Sequence, residues 1–347
     1  MPEGHTIHRL AADLSERFAG RPARASSPQG KFSDGAALVD GRVLARTDAV
    51  GKHLFLGFQA FQAFQGFQRC QGPTGPTPAA SGRAEAESAD PDADLDADLD
   101  WVHIHLGLFG KLGFGPAPAP PPTETVRLRL LNSTAYADLR GPTACALLNE
   151  AEKQAVSARL GPDPLRADAD PDRAWARVSR SRTSIAALLM DQKVIAGVGN
   201  VYRAEVLFRH GVDPYRAGRD LDRGLWQAMW TDLAALMREG VRHNRIDTVR
   251  PEHTPEAMNR PPRADDHGGE VYVYRRNAMP CHVCGTEVRT AELGGRNLFW
   301  CPGCQKPCGS HGATSAPNAR EAPSRAPGRS SRTRPAAASE RSEVPPR

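Results

Sequence analysis

The sequence has no apolar run long enough to cross a membrane, and its polar N-terminus has no apolar segment of the kind found in secretory leaders. These absences exclude a membrane-spanning class and predict a cytoplasmic protein. The seven cysteines are not spread as in a small disulfide-stapled domain, because five of them lie near the C-terminus. This clustering is typical of a metal site. The other two are Cys70 and Cys145.

Two stretches have few aliphatic side chains to bury. Residues 57–100 begin with an imperfect Phe-Gln repeat, continue through Gly, Pro, Ala and Ser, and end in an acidic run. Residues 307–347 consist mainly of Ser, Pro, Ala and Arg. Neither composition supports a packed core, so we expect a disordered insert and a disordered basic tail.

Charge is distributed unevenly along the chain. The formal net charge is +5, although residues 84–100 hold eight carboxylates and no lysine or arginine. The rest of the chain therefore carries +13. Such a surplus favours a polyanionic partner, with nucleic acid first. The alternative is a soluble basic enzyme without such a partner.

Hydrophobic spacing divides the remaining chain into a β-rich half and a helical half, which is a mixed α+β class. Apolar residues recur on one face of a helix over residues 5–18. Alternating patterns separated by Gly and Pro predict an antiparallel sandwich or barrel, with residues 57–100 as a long connection. Its strands are expected at residues 42–46, 52–56, 102–106, 126–131 and 136–139. Helices are expected at residues 150–160, 183–190, 201–210 and 221–239, and a further strand at residues 271–274.

Two Cys-x-x-Cys pairs near the C-terminus form the most specific local pattern. Cys281 and Cys284 are followed, after sixteen residues, by Cys301 and Cys304. Pairs at this separation typically hold one structural zinc ion, with each thiolate about 2.3 Å from the metal in a closed tetrahedron. Such a site has no open position for catalysis. The alternative is a set of unrelated reduced thiols.

The N-terminal residues Pro2 and Glu3 offer a nucleophile and an acid. Removal of Met1, which a small second residue allows, would leave Pro2 with a free secondary amine. An α-amino group has a pKa of about 8, so much of it is neutral and can attack an aldehyde-level carbon to give an iminium. Glu3 supplies a carboxyl group for proton transfer. The alternative is that proline is an ordinary second residue.

Three positions are suited to contact phosphate. Arg296 lies beside two glycines between the cysteine pairs, where its planar guanidinium could make two bonds to a phosphate. The turn Gly197-Val198-Gly199-Asn200 opens a helix whose N–H groups favour an anion, and Asn200 adds a side-chain donor. Lys52 lies at the start of a strand. Taken alone, each position is more often an ordinary turn or surface residue.

Leu108 and Phe109 lie on a turn bounded by Gly107 and Gly110. Apolar side chains at such a place either belong to the core or form a wedge that fills the gap left by an unstacked base. The sequence alone leaves both interpretations open.

The order of these motifs resembles that of the formamidopyrimidine-DNA glycosylase and endonuclease VIII family. The resemblance runs from residue 2 to about residue 305, without the insert. It is carried, in order, by Pro2-Glu3-Gly4, Gly51-Lys52, His105-Leu106-Gly107-Leu108-Phe109-Gly110, Gly161-Pro162-Asp163-Pro164-Leu165, Gly197-Val198-Gly199-Asn200, and a four-cysteine finger that contains Arg296 and ends Trp300-Cys301-Pro302-Gly303-Cys304-Gln305.

The resemblance implies a bifunctional enzyme of base excision repair, which excises an oxidised base and then cleaves the abasic site by β,δ-elimination. It implies that Pro2 is the nucleophile that attacks C1′ of the damaged nucleotide and that Glu3 is the general acid. Lys52 would contact phosphate and the lesion. The other implied DNA contacts are Lys193, Asn200 and Arg296 on the phosphates around the flipped nucleotide, and Leu108 and Phe109 as the wedge.

The resemblance also implies a partner and a domain organisation. The partner is damaged double-stranded DNA, which a monomer would hold in a cleft, and such a partner implies a location at the nucleoid. Whether single-stranded or bubble DNA is also bound is left open. The domains are a catalytic β-sandwich at residues 1–148, a helical helix–two-turn–helix domain at residues 149–265, a zinc finger at residues 266–306 and the tail at residues 307–347.

The chain departs from the family pattern at three places. Thr6 stands where many members have a second glutamate. The wedge reads Leu-Phe, closer to the endonuclease VIII branch, and the Asp-Pro-Arg-Arg-Phe stretch of the guanine-lesion branch is reduced to residues 138–142. We therefore expect oxidised pyrimidines rather than 8-oxoguanine as substrates. Two alternatives remain: a catalytically weak zinc-bearing protein that binds lesions or abasic sites, and a lyase with little glycosylase activity.

Overall fold

The computed structural model describes residues 2–59, 99–264 and 269–307. The first half of the chain forms two four-stranded antiparallel sheets with strand orders β1-β6-β7-β5 and β2-β3-β4-β8. This arrangement confirms the predicted sandwich. Its elements are α1 (Gly4–Phe18), β1 (Arg24–Ser26), α2 (Ser33–Val39), β2 (Leu44–Val50), β3 (His53–Gln59), β4 (Leu99–His105), β5 (Lys111–Pro116), β6 (Val126–Leu131), β7 (Ala135–Arg140) and β8 (Ala144–Leu148).

Helix α1 covers one edge of the sandwich and also reaches the second half of the chain. Its apolar face, with Ile7, Leu14 and Phe18, is buried as the sequence predicted. The helix packs against both β2 and the long helix that closes the second half. Because Glu3, the residue before α1, makes no capping bond to the helix, its side chain is available for another partner.

The predicted insert at residues 57–100 is too long at both ends. Residues 57–59 complete β3 and residues 99–100 begin β4, with Gln59 opposite Leu99 in antiparallel register. Burial of Phe58 and Leu99 and an ion pair between Arg42 and Asp100 stabilise these strand ends. The composition of the whole stretch concealed them. Residues 60–98 and 308–347, which hold the remainder of the predicted insert and nearly all of the predicted tail, lie outside the described residues, as do Cys70 and Cys308.

The second half is helical, as predicted. A capping box between Asn149 and Glu152 starts its first helix, and the Asp222 side chain caps its last. The helix expected at residues 183–190 is reduced to one turn. The helices are α3 (Glu150–Ala158), α4 (Pro171–Val178), α5 (Ile185–Leu188), α6 (Asn200–Arg209) and α7 (Arg223–His243).

The last described segment forms a β-hairpin of β9 (Arg289–Leu293) and β10 (Arg296–Trp300). Its apolar residues Leu298 and Phe299 belong to the same buried cluster as helices α6 and α7. Residues 271–274 precede this hairpin and were predicted as a strand, which is wrong. Their backbone N–H groups instead turn inward to the buried carboxylate of Glu205, which accepts from Tyr272, Val273 and Tyr274 at 2.7–2.9 Å.

Among the described residues, none of the helices combines the length and apolar character needed to span a membrane.

Candidate active site

The Glu3 carboxylate is fully buried at the start of helix α6. The backbone N–H of Gly199 donates to Oε2 at 2.9 Å, and that of Val201 donates to Oε1 at 2.8 Å. The sequence predicted that these N–H groups would bind a DNA phosphate, but in the structure the Glu3 carboxyl group takes them. A side chain at position 199 would not fit, because its Cβ would lie 2.3 Å from Glu3 Cδ.

Lys52 lies near Glu3, and burial acts on both groups. Desolvation raises the pKa of Glu3 above its ordinary value, while the charge of Lys52 and the N–H groups of the α6 start offset part of that rise. Desolvation lowers the pKa of Lys52, the charge of Glu3 opposes this, and Arg296 lowers it further. The site thus keeps a carboxyl group that stays protonated to higher pH than usual beside an amine that loses its proton more readily.

Close backbone contacts bring Pro2, Glu3 and Lys52 together. The Gly4 N–H donates to the Gly197 carbonyl at 2.7 Å, directly beside Pro2 and Glu3. Gly51, which precedes Lys52, has φ +60°, and a Cβ there would lie 2.9 Å from that of Ala196. Glycine is needed at this turn both for its left-handed backbone and for the close approach. The N-terminus, the β2–β3 turn and the start of α6 therefore meet at one point, next to the half-buried Pro2.

The side chains of the first turn of α6 hold the hairpin. Asn200 Nδ2 donates to the Asn297 carbonyl at 2.9 Å, and Arg203 Nη2 donates to the same oxygen at 3.1 Å. Arg203 also donates to Asn200 Oδ1. The exposed Arg296 is the first residue of β10, immediately before Asn297. Arg203 was missed from the sequence, because a single arginine in an apolar helix gives no sign that it is buried.

The remaining predicted DNA-contact residues are exposed. Lys193 lies on an exposed turn, and its carbonyl accepts a bond from Arg177. Leu108 is 51% exposed and Phe109 is 81% exposed on the turn between β4 and β5. Their exposure excludes the core interpretation, and their role as a wedge stays a prediction.

Three histidines beside Lys52 were also missed. His53 and His105 face each other across β3 and β4, with ring centroids 4.9 Å apart, and His53 Nδ1 lies 2.9 Å from His103 Nε2. Burial, with the neighbouring imidazoles, lowers the pKa of His53 and of His103 to about 4. The spacing His103-x-His105 and the position of His53 after Lys52 were the available signals for a shared sheet face.

The four cysteines of the hairpin are arranged to bind a metal. The sulfur atoms of Cys281, Cys284, Cys301 and Cys304 all lie within 4.8 Å of one another. The separations are 3.8 Å between Cys281 and Cys304 and 3.4 Å between Cys284 and Cys301. Zinc–sulfur bonds of about 2.3 Å in a tetrahedron require sulfur separations of about 3.8 Å, so the residues fit one zinc ion. Four thiolates fill its coordination sphere, and the metal supplies folding stability rather than catalysis.

The β-sandwich carries the buried acid, and the helical half binds that acid. Together with the four-cysteine hairpin, these parts define a zinc-finger class of DNA repair glycosylase. Three family models match the chain: the formamidopyrimidine-DNA glycosylase N-terminal domain at residues 1–145, its H2TH domain at residues 160–250 and the zinc finger found in FPG and IleRS at residues 280–307. The chain belongs to the formamidopyrimidine-DNA glycosylase and endonuclease VIII family, as the sequence predicted.

Individual relatives agree with this assignment. Endonuclease 8 1 of Mycobacterium tuberculosis is 46% identical over 308 residues, which cover 88% of this chain and 100% of that protein. The formamidopyrimidine-DNA glycosylase of Thermomicrobium roseum is 33% identical over 171 residues, covering 49% of this chain and 57% of that protein. The fold is similar to Lactococcus lactis FPG in complex with DNA containing an oxidised pyrimidine, with a TM-score of 0.62, 17% identity, and coverage of 88% of this chain and 100% of that one.

Proposed function

We propose that this chain excises oxidised bases from DNA, pyrimidines in preference to purines, and then cleaves the abasic strand by β,δ-elimination through a Schiff base on Pro2. The observation that carries the proposal is the buried Glu3 carboxyl group. It is bound at the start of α6, lies beside Lys52 and immediately follows Pro2 in the chain. Base loss through an iminium needs an amine and an acid, and both lie here beside the half-buried Lys52.

The reaction follows from these positions. The lone pair of the Pro2 nitrogen attacks C1′ of the flipped nucleotide, and the bond from C1′ to the base breaks. The base leaves with the bonding pair and takes up the proton that the Pro2 nitrogen loses. A proton from Glu3 to the ring oxygen opens the sugar and leaves a C1′ iminium. Loss of a C2′ proton then expels the 3′ phosphate, and a second elimination expels the 5′ phosphate.

We assign positioning of the DNA to four exposed residues and to Asn200, which is buried. Arg296, Lys193 and Asn200 would bind phosphates around the flipped nucleotide, and Leu108 and Phe109 would fill its gap. Asn200 already holds the hairpin carbonyl of Asn297, so its contact and that of Arg296 would form together. The reacting groups would then lie in the domain at residues 1–148. The domains at residues 149–265 and 266–306 would bind the DNA backbone.

Borohydride reduction tests the nucleophile. Mixing the protein with an abasic-site duplex and borohydride is expected to give a covalent complex, with the DNA attached to Pro2 in the N-terminal peptide identified by mass spectrometry. A Pro2→Glu variant, in which the bulky second residue keeps Met1 in place, is expected to give none. A folded, zinc-loaded wild-type protein that forms no adduct would exclude this mechanism and favour the alternative of a binding protein without catalysis.

Thr6 is the observation that motivates this alternative. Its hydroxyl lies 3.2 Å from His5 Nε2. Because threonine has no carboxyl group, position 6 supplies no second carboxylate to the site. Glu3 nevertheless keeps its backbone donors from Gly199 and Val201. The supporting glutamate is therefore not needed to hold Glu3, which favours the enzyme.

The preference for oxidised pyrimidines rests on the Leu108-Phe109 wedge and on the relative named Endonuclease 8 1, which is similar over its full length. Single-turnover excision from duplexes with one defined lesion is expected to be at least about tenfold faster for an oxidised pyrimidine than for 8-oxoguanine. Equal rates, or a faster reaction with 8-oxoguanine, would contradict the preference but not the glycosylase assignment. Incision of an abasic duplex alone would instead identify a lyase with little glycosylase activity.

A further inference from the structure

Another buried carboxylate, that of Asp163, lies in the segment that joins α3 to α4. Its side chain is fully buried, and its oxygens accept three hydrogen bonds. Oδ2 accepts from the backbone N–H of Gly51 at 2.7 Å and bonds to His8 Nε2 at 2.8 Å. Oδ1 accepts from the N–H of Leu165 at 2.9 Å. One carboxylate therefore connects three segments that are far apart in the sequence.

Two of these segments carry residues of the proposed reaction. Gly51 is the left-handed residue directly before Lys52, so the bond to its N–H fixes the turn that directs Lys52 into the site. His8 lies on α1, the helix that begins directly after Pro2 and Glu3. The Asp163 carboxylate is thus the direct polar connection between the turn that carries Lys52 and the helix that follows the nucleophile.

Among the described residues, His8 is the side chain that bonds to Asp163, because the neighbouring cations bind elsewhere. Asp163 borders a cavity of about 260 Å³ that is also lined by Lys153 and Arg166. Those two cations bind Asp48 instead, at 3.1 Å and 2.7 Å. The His8 side chain is 18% exposed, and its Nε2 points at a carboxylate with no exposure.

We infer that His8 and Asp163 form a positioning pair that sets the alignment of Lys52 with Pro2 and Glu3. This inference rests on the proposed function. Neither residue belongs to the reacting groups. Their effect is on geometry, and a displacement of about 1 Å in a reacting group can lower a rate by about a hundredfold.

The bond needs a donor on residue 8 rather than a charge. A neutral imidazole with its proton on Nε2 donates to Asp163 as a protonated one does. Glutamine places an amide N–H at a similar distance along the side chain and keeps the donor, whereas leucine has a similar volume and no donor. Asp163→Asn replaces one acceptor oxygen with an NH₂ group, which then faces an N–H donor whichever way the amide is oriented.

The experiment compares the full-length, zinc-loaded wild type with His8→Leu, His8→Gln and Asp163→Asn. Single-turnover excision is measured beside the dissociation constant for a duplex with a stable abasic-site analogue. We expect excision to fall roughly 10- to 100-fold in His8→Leu and Asp163→Asn. The DNA affinity of these variants is expected to stay within about threefold of wild type. His8→Gln is expected to excise at a rate within about threefold of wild type.

Two exposed residues provide matched controls. His243, which is 63% exposed, is replaced by leucine, and Asp220, which is 59% exposed, is replaced by asparagine. Both controls are expected to excise at the wild-type rate. The positioning role would be overturned by any of three results. These are a wild-type excision rate in His8→Leu, an excision rate in His8→Gln as low as in His8→Leu, or a loss of affinity and thermal stability that parallels the loss of rate. A wild type without activity would instead refute the proposed function on which the inference rests.

Discussion

Replacing Glu3 by glutamine is expected to lower single-turnover base excision by about 10²- to 10⁴-fold, the range for loss of a general acid. Glutamine has nearly the same shape, but it has one acceptor oxygen for the two donors Gly199 and Val201, so its NH₂ group faces one of them and part of the loss reflects this mismatch. Glutamine also has no proton to transfer to the sugar. The measurement is the excision rate from a duplex with one oxidised pyrimidine, made beside the affinity for an uncleavable analogue.

The pH dependence provides an independent check on Glu3. Burial raises the pKa of this carboxyl group, so the proton-donating form persists to higher pH than in an exposed glutamate. Wild-type excision should therefore decline as pH rises through that elevated pKa, and the residual rate of Glu3→Gln should lack this decline. A variant that retains its rate to within about tenfold would rule out Glu3 as the acid.

Loss of zinc is expected to have the second largest effect, because the metal contributes to the folding of the hairpin. Structural zinc contributes about 10–16 kcal/mol in isolated finger peptides. The hairpin places Arg296 and is held to α6 through Asn297. Two lost charge-assisted hydrogen bonds, at about 1.5 kcal/mol each, correspond to roughly a hundredfold weaker DNA binding.

Cys301→Ser tests this expectation, with Cys145→Ser as the matched control. Cys301 is fully buried within the metal cluster, whereas Cys145 lies in β8, where burial raises the pKa of its thiol to about 12. Zinc content is measured by mass spectrometry and DNA affinity by fluorescence anisotropy. Cys145→Ser should retain one zinc and full affinity. Unchanged affinity in zinc-free Cys301→Ser would show that the finger does not grip the DNA.

Much of the fold could be predicted because it depends on local sequence patterns. The face of α1, the strand β6 at residues 126–131 and the spacing of the four cysteines all needed only neighbouring residues. Errors arose where tertiary contacts outweighed local pattern. Residues 271–274 have the alternation of a strand, but the buried carboxylate of Glu205 takes their N–H groups, which would otherwise pair in a sheet.

The sequence by itself determined the family, the zinc ligands and the candidate nucleophile and acid, because each is a contiguous motif or a fixed spacing. Only the tertiary structure decided which motifs contact one another. Glu3 and Gly199 are 196 positions apart, yet the helix start that was expected to bind a DNA phosphate binds the Glu3 carboxyl group instead. Asp163, Arg203 and the three histidines were missed for the same reason. Their partners lie in distant segments, and burial, which sets their hydrogen bonds and the pKa of each histidine, depends on packing that no local pattern records.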